Sequence, residues 1–222
     1  MLPTKRQKIK NWWKRRNEAH NYFLDFKMIN KNSKTIVYSG GVGKNISFDK
    51  ELEKKISCKL RLFDPTPESI QFMKKKTTKK LSFYPYAIYK KNKKVKIYYD
   101  KHGLVKSNSI NNYLGFDKKS FYYCNAHNLP FLKKKFKDKA IDILKLDIEG
   151  VAMEVIENSM KNNILPKQIL LALEVPLNYF EFIKFYKKLK IFVAKISKNY
   201  ELINIRDRRR GVEIEILCIL KK

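Results

Sequence analysis

The stretch Ile141-Asp-Ile-Leu-Lys-Leu-Asp-Ile-Glu-Gly150 constrains this chain more than any other. Ile141, Ile143, Leu144, Leu146 and Ile148 form a short apolar run of the kind a buried strand needs. The run stops on Asp147, Glu149 and Gly150. Val151 to Met160 then has helical spacing, with Val151, Val155 and Ile156 on one face. A buried strand running into a helix belongs to an α/β sheet. In open sheets of that class, ligands bind beyond the carboxyl ends of the strands. Asp-x-Glu-Gly therefore aims two carboxylates at such a crevice, and the glycine lets backbone or ligand come close. The alternative is a capped turn with solvated acids.

A second strand, turn and helix lies about a hundred residues earlier. Thr35 to Tyr38 is β-branched and aromatic, Ser39-Gly-Gly-Val-Gly43 follows, and Ser47 to Ile56 carries Phe48, Leu52 and Ile56 at helical spacing. Such a turn brings backbone N–H groups against a ligand. Position excludes two phosphate motifs. A Walker A loop would need glycine where Tyr38 stands and Ser or Thr where Asn45 stands. A dinucleotide fingerprint starting at Gly41 would need glycine at Ile46. What remains is a Gly-x-Gly turn without a phosphate cradle, which suits a nucleoside ligand lacking pyrophosphate, such as S-adenosylmethionine. Lys59 to Phe63 reads as the next strand. Asp64 at its tip is placed to accept hydrogen bonds from ribose hydroxyls. Thr66 caps the following helix, with Pro67 in its first turn.

The remaining segments complete an alternating pattern. Leu81 to Tyr89 and Val95 to Asp100 read as strands, Ser120 to Cys124 as a short one, and Leu129 to Phe136 as a helix. His127 is either a base near the site or a solvated loop residue. Gln168 to Val175 is an apolar strand that carries Glu174, a carboxylate that needs a partner or ligand if buried. Asn178 can cap a helix over Tyr179 to Leu189. Tyr200 to Ile205 and Val212 to Leu220 form a hairpin about Asp207 to Gly211. At the other end, Lys5 to Met28 has aromatic residues near helical spacing. Residues 1–33 are expected to be a basic amphipathic helical extension to a single domain over 34–222. That helix would pack on the domain, form a lid, or lie on a membrane surface.

Fifty Lys and Arg against 21 Asp and Glu leave a formal charge of +29. Only eight of the fifty are Arg. That ratio, with the excess of Asn and Ile, reads as compositional bias rather than a surface selected for phosphate recognition. The field still attracts anionic partners, nucleic acid included, in a salt-dependent way. No apolar run reaches the roughly 18 residues of a membrane span, and no apolar segment follows the basic N-terminus as in a signal peptide. Cys58, Cys124 and Cys218 are far apart and read as free thiols of a cytoplasmic protein.

These segments resemble the class I S-adenosylmethionine-dependent methyltransferases, specifically their FkbM-like and methyltransferase-like group. Val37 to Gly43 with Asn45 to Asp49, Leu62-Phe-Asp-Pro-Thr-Pro67, and Ile141 to Gly150 carry the resemblance. It implies a Rossmann-like, mostly parallel seven-stranded sheet with an antiparallel last strand and helices on both faces. It implies cofactor contacts from Ser39, Gly40, Gly41, Val42, Gly43, Asp64, Pro65 and Asp147, and Asp147, Glu149 and Glu174 as candidate catalytic acids. Ser39 departs from the acid that many such enzymes place there, and Tyr84 to Ile88 offers no acid for an adenine amine. A divalent cation could sit among paired carboxylates, but no residue pattern requires one. The Asn/Asp-Pro-Pro-aromatic motif of amine methylation is absent, so oxygen is the expected acceptor atom. The expected activity is O-methylation of a sugar, glycan or small metabolite. The alternatives are an RNA-directed methyltransferase and a non-catalytic basic binding module on the same fold.

Overall fold

A computed structural model of the chain describes residues 7–11, 20–26, 29, 35–56, 58–99, 108–110, 119–176, 178–208 and 213–221. Its centre is a seven-stranded sheet of β3 (Ile36–Gly40), β4 (Lys59–Phe63), β5 (Leu81–Tyr84), β10 (Ile143–Leu146), β11 (Gln168–Glu174), β12 (Tyr200–Arg208) and β13 (Glu213–Leu220). The spatial order is β12-β13-β11-β10-β3-β4-β5. β13 pairs antiparallel with both β11 and β12, while β3, β4, β5, β10 and β11 run parallel. This is the Rossmann-like class I methyltransferase fold that the resemblance implies. β3 and β10 lie side by side at the centre, where the strand order reverses. Ligands of open α/β sheets bind at such switch points.

Side-chain alternation in the strands sends successive residues to two apolar layers. On one face, Val37, Leu60, Leu62 and Ile143 pack with Phe48, Leu52 and Ile56 of α1 (Ser47–Ile56) and Met73 of α2 (Pro67–Met73). Leu24 and Ile29 join that layer, and the Gln168 side-chain amide bonds both the N–H and the carbonyl of Asp25. On the other face, Leu144, Leu146 and Leu171 pack with α3 (Leu129–Lys135), α4 (Ala152–Lys161) and α5 (Tyr179–Ile196). Thr66 caps α2 as expected, and Asn178 caps α5, which continues past the expected end at Leu189 to Ile196.

Three readings of the sequence change. Within Lys5 to Met28, expected to be helical, β1 (Gln7–Asn11) and β2 (His20–Leu24) are strands and form an antiparallel pair. Aromatic spacing near 3.6 misled there. Leu81 to Tyr89 is not one strand. Pro85, which has no N–H for a ladder, separates β5 from β6 (Ala87–Ile88). β6 instead joins β7 (Lys93–Tyr99), β8 (Asn108–Ser109) and β9 (Phe121–His127) in a second sheet of order β6-β9-β7-β8. Val95, Ile97 and Ala126 of that sheet pack with Val151, and half-buried Ile148 packs against the same cluster. The small sheet thus touches the segment that follows β10. The expected hairpin turn lies in part outside the described residues, which omit 209–212, and the Asp207 expected to open it belongs to β12.

Within the α3–α5 layer lies a buried ion pair. Arg61 donates from Nε and Nη2 to both carboxylate oxygens of Asp138, at 2.6 and 2.7 Å. The Tyr38 hydroxyl donates to Asp138 at 2.7 Å, and the guanidinium lies 4.2 Å from the centre of the Phe136 ring. Removing one partner of such a pair leaves the other charged and buried. Arg61→Met should therefore destabilise the fold by about 3–5 kcal/mol in urea titration. The double variant Arg61→Met/Asp138→Leu should recover part of that loss.

Candidate functional site

The glycine turn leaves β3 at Gly40 and is bonded to the end of β4, to α2 and to β10. The Gly41 N–H donates to Phe63 O at 3.0 Å. The N–H groups of Val42 and Gly43 both donate to Oδ2 of Asp64, at 2.8 and 2.9 Å. Gly43 O accepts from the Ser69 hydroxyl, and Gly41 O accepts from Lys145 Nζ at 3.1 Å. The other Asp64 oxygen accepts from the backbone and hydroxyl of Thr66, at 2.9 and 2.7 Å. Four donors thus occupy one buried carboxylate. The two N–H groups that would cradle a phosphate are held by an anion of the protein's own, and a ligand phosphate would meet that charge head on. The absence of a phosphate motif in the sequence has this structural counterpart.

The two positive-φ glycines of the turn do different work. A Cβ on Gly41 (φ +79°) would lie 1.9 Å from the backbone oxygen of Asp147, so the turn rests directly on the end of β10. A Cβ on Gly43 (φ +57°) would meet nothing within 4 Å. The side of Gly43 that a side chain would occupy therefore faces open space. Gly40 is packed among Ile88, Leu146 and Ile148.

Asp147 continues the β10 ladder by donating its N–H to Gly40 O at 3.1 Å. Its carboxylate is partly exposed and lies 3.7 Å from Lys145 Nζ. The Glu149 carbonyl accepts from the Ser109 hydroxyl of β8 at 3.0 Å, and one of its carboxylate oxygens is shielded from solvent. Glu174 lies elsewhere. With Ile148, Gly150, Met153, Leu173 and Phe185 it lines a cavity of about 290 Å³ between α4 and α5 that neither Asp147 nor Glu149 lines. Among the described residues, no three Asp, Glu, His or Cys side chains are grouped as a metal site.

Two charged residues that the motifs did not single out complete the site. Lys145 is buried in the middle of β10, on the face that carries Ile143. Asp49 of α1 is also buried. Loss of water pushes the Asp49 pKa up, while the Lys145 charge and the Ser39 hydroxyl oppose the shift. Ser39, expected at the cofactor, is fully buried beneath the turn, and an acid from α1 is present on its side of the sheet. The sequence held one signal, a lysine between two leucines of a strand otherwise apolar. His127 is not a solvated loop residue. It ends β9, stacks on Phe131 at 4.4 Å and meets Tyr86 edge-on, and burial and Lys135 push its pKa down.

No protein-family model matches the chain, and no curated protein matches it. Solved structures do resemble it in overall shape. Human methyltransferase-like protein 13, in complex with SAH, has a TM-score of 0.46 at 8% identity, covering 88% of this chain and 75% of that one. M. jannaschii TYW2, in complex with AdoMet, has a TM-score of 0.41 at 11% identity, covering 90% and 80%. The plantazolicin methyltransferase BpumL, in complex with SAH, has a TM-score of 0.43 at 10% identity, covering 85% and 76%. The fold assignment rests on strand order and direction, not on these scores.

Two measurements follow. Gly43→Ala should cost only the left-handed backbone penalty, about 1–2 kcal/mol. Gly41→Ala must also displace Asp147 and should cost clearly more, or give insoluble protein; equal melting points for the two would contradict the packing. Asp49 titrates with a folded pKa above its ordinary value of 3.8, so the native state binds more protons than the unfolded chain across that interval. Its contribution to stability falls as pH rises through the interval. Asp49→Asn should flatten that decline in denaturation curves taken between acid and neutral pH.

Proposed function

We propose that the chain is an S-adenosylmethionine-dependent methyltransferase of the FkbM-like, methyltransferase-like group that methylates a hydroxyl of a sugar, glycan or small metabolite. The observation that carries this reading is the glycine turn at the switch point. Its amides are closed to phosphate by Asp64, yet Gly43 leaves room for a ligand beside it. A nucleoside cofactor without pyrophosphate, and with a positive sulfonium, suits that combination. The position of the turn at the carboxyl ends of the central strands, where open α/β sheets take ligands, supports the reading. The complexes of the similar structures with AdoMet or SAH agree with the reading without carrying it.

When bound, the cofactor would supply an electrophilic methyl group for in-line displacement, a reaction that depends mainly on alignment. Gly40 to Gly43, Pro65 and the end of β10 would line it. Asp64 shapes the turn first. For it to reach a ribose, one of its four donors must give way, and the Thr66 hydroxyl can do so by rotation without moving backbone. Ser39, beneath the turn, would support Gly40 and Gly41 and not touch the ligand. Asp147, backed by Lys145 and bonded through its N–H to Gly40 O, would stand beside the turn at the end of β10. Glu174 belongs to the neighbouring cavity, which is assigned to the acceptor, where a carboxylate can take a hydroxyl proton. Glu149 would hold the turn between the small sheet and α4.

A second reading, an RNA acceptor, is favoured by the outer side of the small sheet. There Lys96 lies over Phe121 at 4.2 Å and Lys94 over Tyr123 at 5.5 Å, an arrangement that fits stacked bases beside phosphates. RNA affinity with a steep salt slope would support it.

Calorimetry with S-adenosylhomocysteine should give one site per chain. Asp64→Ala should weaken binding by about 1.5–3 kcal/mol, as for a lost charged hydrogen bond, and lower the melting temperature, because two turn amides lose their acceptor. Gly43→Val should abolish binding while circular dichroism remains unchanged. Binding of NAD with none of S-adenosylhomocysteine would overturn the proposal.

A further inference from the structure

The outer face of α5 is apolar where a solvent-facing helix is ordinarily polar. Tyr179 and Phe180 are 70% and 72% exposed, Ile191 is 56% exposed, and Phe182 and Tyr186 are exposed beside them. Single exposed apolar residues are ordinary, but here the Tyr179 ring meets Phe180 and Phe182 meets Tyr186, and such clustering marks an interaction surface. The helix orientation is fixed by its other side. Phe192 and Ile196 are buried in the core, and Lys188 and Lys195 are tied to Glu154 and Glu157 of α4 at 2.8 and 3.0 Å. The aromatic residues therefore lie on the side away from the sheet.

Charge selects the occupant. Five lysines and one glutamate fall within Tyr179–Ile196. Lys187 and Lys190 stand among the exposed rings, and Lys190 lies over Tyr186 at 4.8 Å. A second copy of the chain would set these lysines against one another across a two-fold interface. Nucleic acid would need separated ring faces, but Phe182 and Tyr186 stack on each other at 6.2 Å and 13°. Aromatic rings with a lysine fringe match the interface of an anionic bilayer, where rings sit at headgroup depth and lysines meet acidic lipid. No helix among the described residues is long and apolar enough to cross a membrane.

We propose that the outer face of α5 docks the protein on anionic lipid membranes, lying flat at the headgroup level. This inference is independent of the methyl-transfer reading. The cavity lined by Glu174 is walled by the adjacent flank of the same helix, through Glu181, Lys184, Phe185 and Lys188, so docking would bring that cavity close to the lipid surface.

Vesicle flotation of the full chain tests it. The protein should float with mixed phosphatidylcholine–phosphatidylserine vesicles at physiological salt and not with phosphatidylcholine alone. Tyr179→Ser/Phe180→Ser should lower the bound fraction roughly tenfold, since binding scales with inserted apolar area, and Lys187→Glu/Lys190→Glu should do the same. Both variants should keep the wild-type circular dichroism and S-adenosylhomocysteine affinity, so that failure here is distinct from failure of the cofactor site. No flotation of the wild type would overturn the proposal. So would unchanged flotation of the serine variant, which would mean diffuse attraction by the whole charge. A wild-type dimer split by the serine substitutions would assign the face to a second copy. Oligouridylate binding abolished by them would assign it to RNA.

Discussion

The capture of the Val42 and Gly43 amides by the Asp64 carboxylate organises the site. A short loop after a buried strand has backbone donors that must be satisfied, and water or ligand could serve. Here an acid from the next strand does so, and it also accepts from Thr66, which caps α2. One carboxylate therefore ties the tip of β3, the tip of β4 and the start of α2 into a single unit. The consequence for chemistry is selective. The turn keeps two positive-φ glycines, Gly41 and Gly43, while the amides of Val42 and Gly43 are already bonded to an anion of the protein's own.

Beneath that unit the protein places charge where a sheet of this class ordinarily has only apolar side chains. Lys145 reaches from β10 to the carbonyl of Gly41 and toward Asp147, with Asp49 near enough to feel its charge. On the opposite face Arg61, Asp138 and Tyr38 form a second buried set. Buried charges are costly unless each is paired and hydrogen-bonded. These are placed against the two central strands and the strand beside them. They contribute little net stability compared with an apolar core, but they narrow the positions available to the strand ends. On the proposed function that is useful, because methyl transfer is governed by alignment.

Much of the architecture was legible in the sequence. α1 and β4 lie at the expected boundaries, because Phe48, Leu52 and Ile56 keep helical period and Lys59 to Phe63 is bounded by an obvious turn. The segment over Ile141 to Met160 was equally clear. The second sheet was not: its strands alternate like any others, and nothing local says which sheet a strand will join. Pro85 was the available signal. The N-terminal pair β1–β2 was missed because Trp12, Trp13, Phe23 and Phe26 fall near helical spacing by accident. Within the candidate site, the glycine turn and Asp64 were singled out from motif spacing. The pairing between them, and the burial of Lys145 and Asp49, depend on contacts between segments up to about a hundred residues apart, which periodicity does not report.

The central claim is that the turn clamped by Asp64 is where the cofactor binds. Amide hydrogen exchange followed by mass spectrometry, with and without S-adenosylhomocysteine, tests it most directly. The account predicts added protection in peptides covering Gly40 to Ser47, Asp64 to Ser69 and Asp147 to Val151, with α5 unchanged. Protection confined to the α4–α5 cavity, or none at saturating ligand, would contradict it.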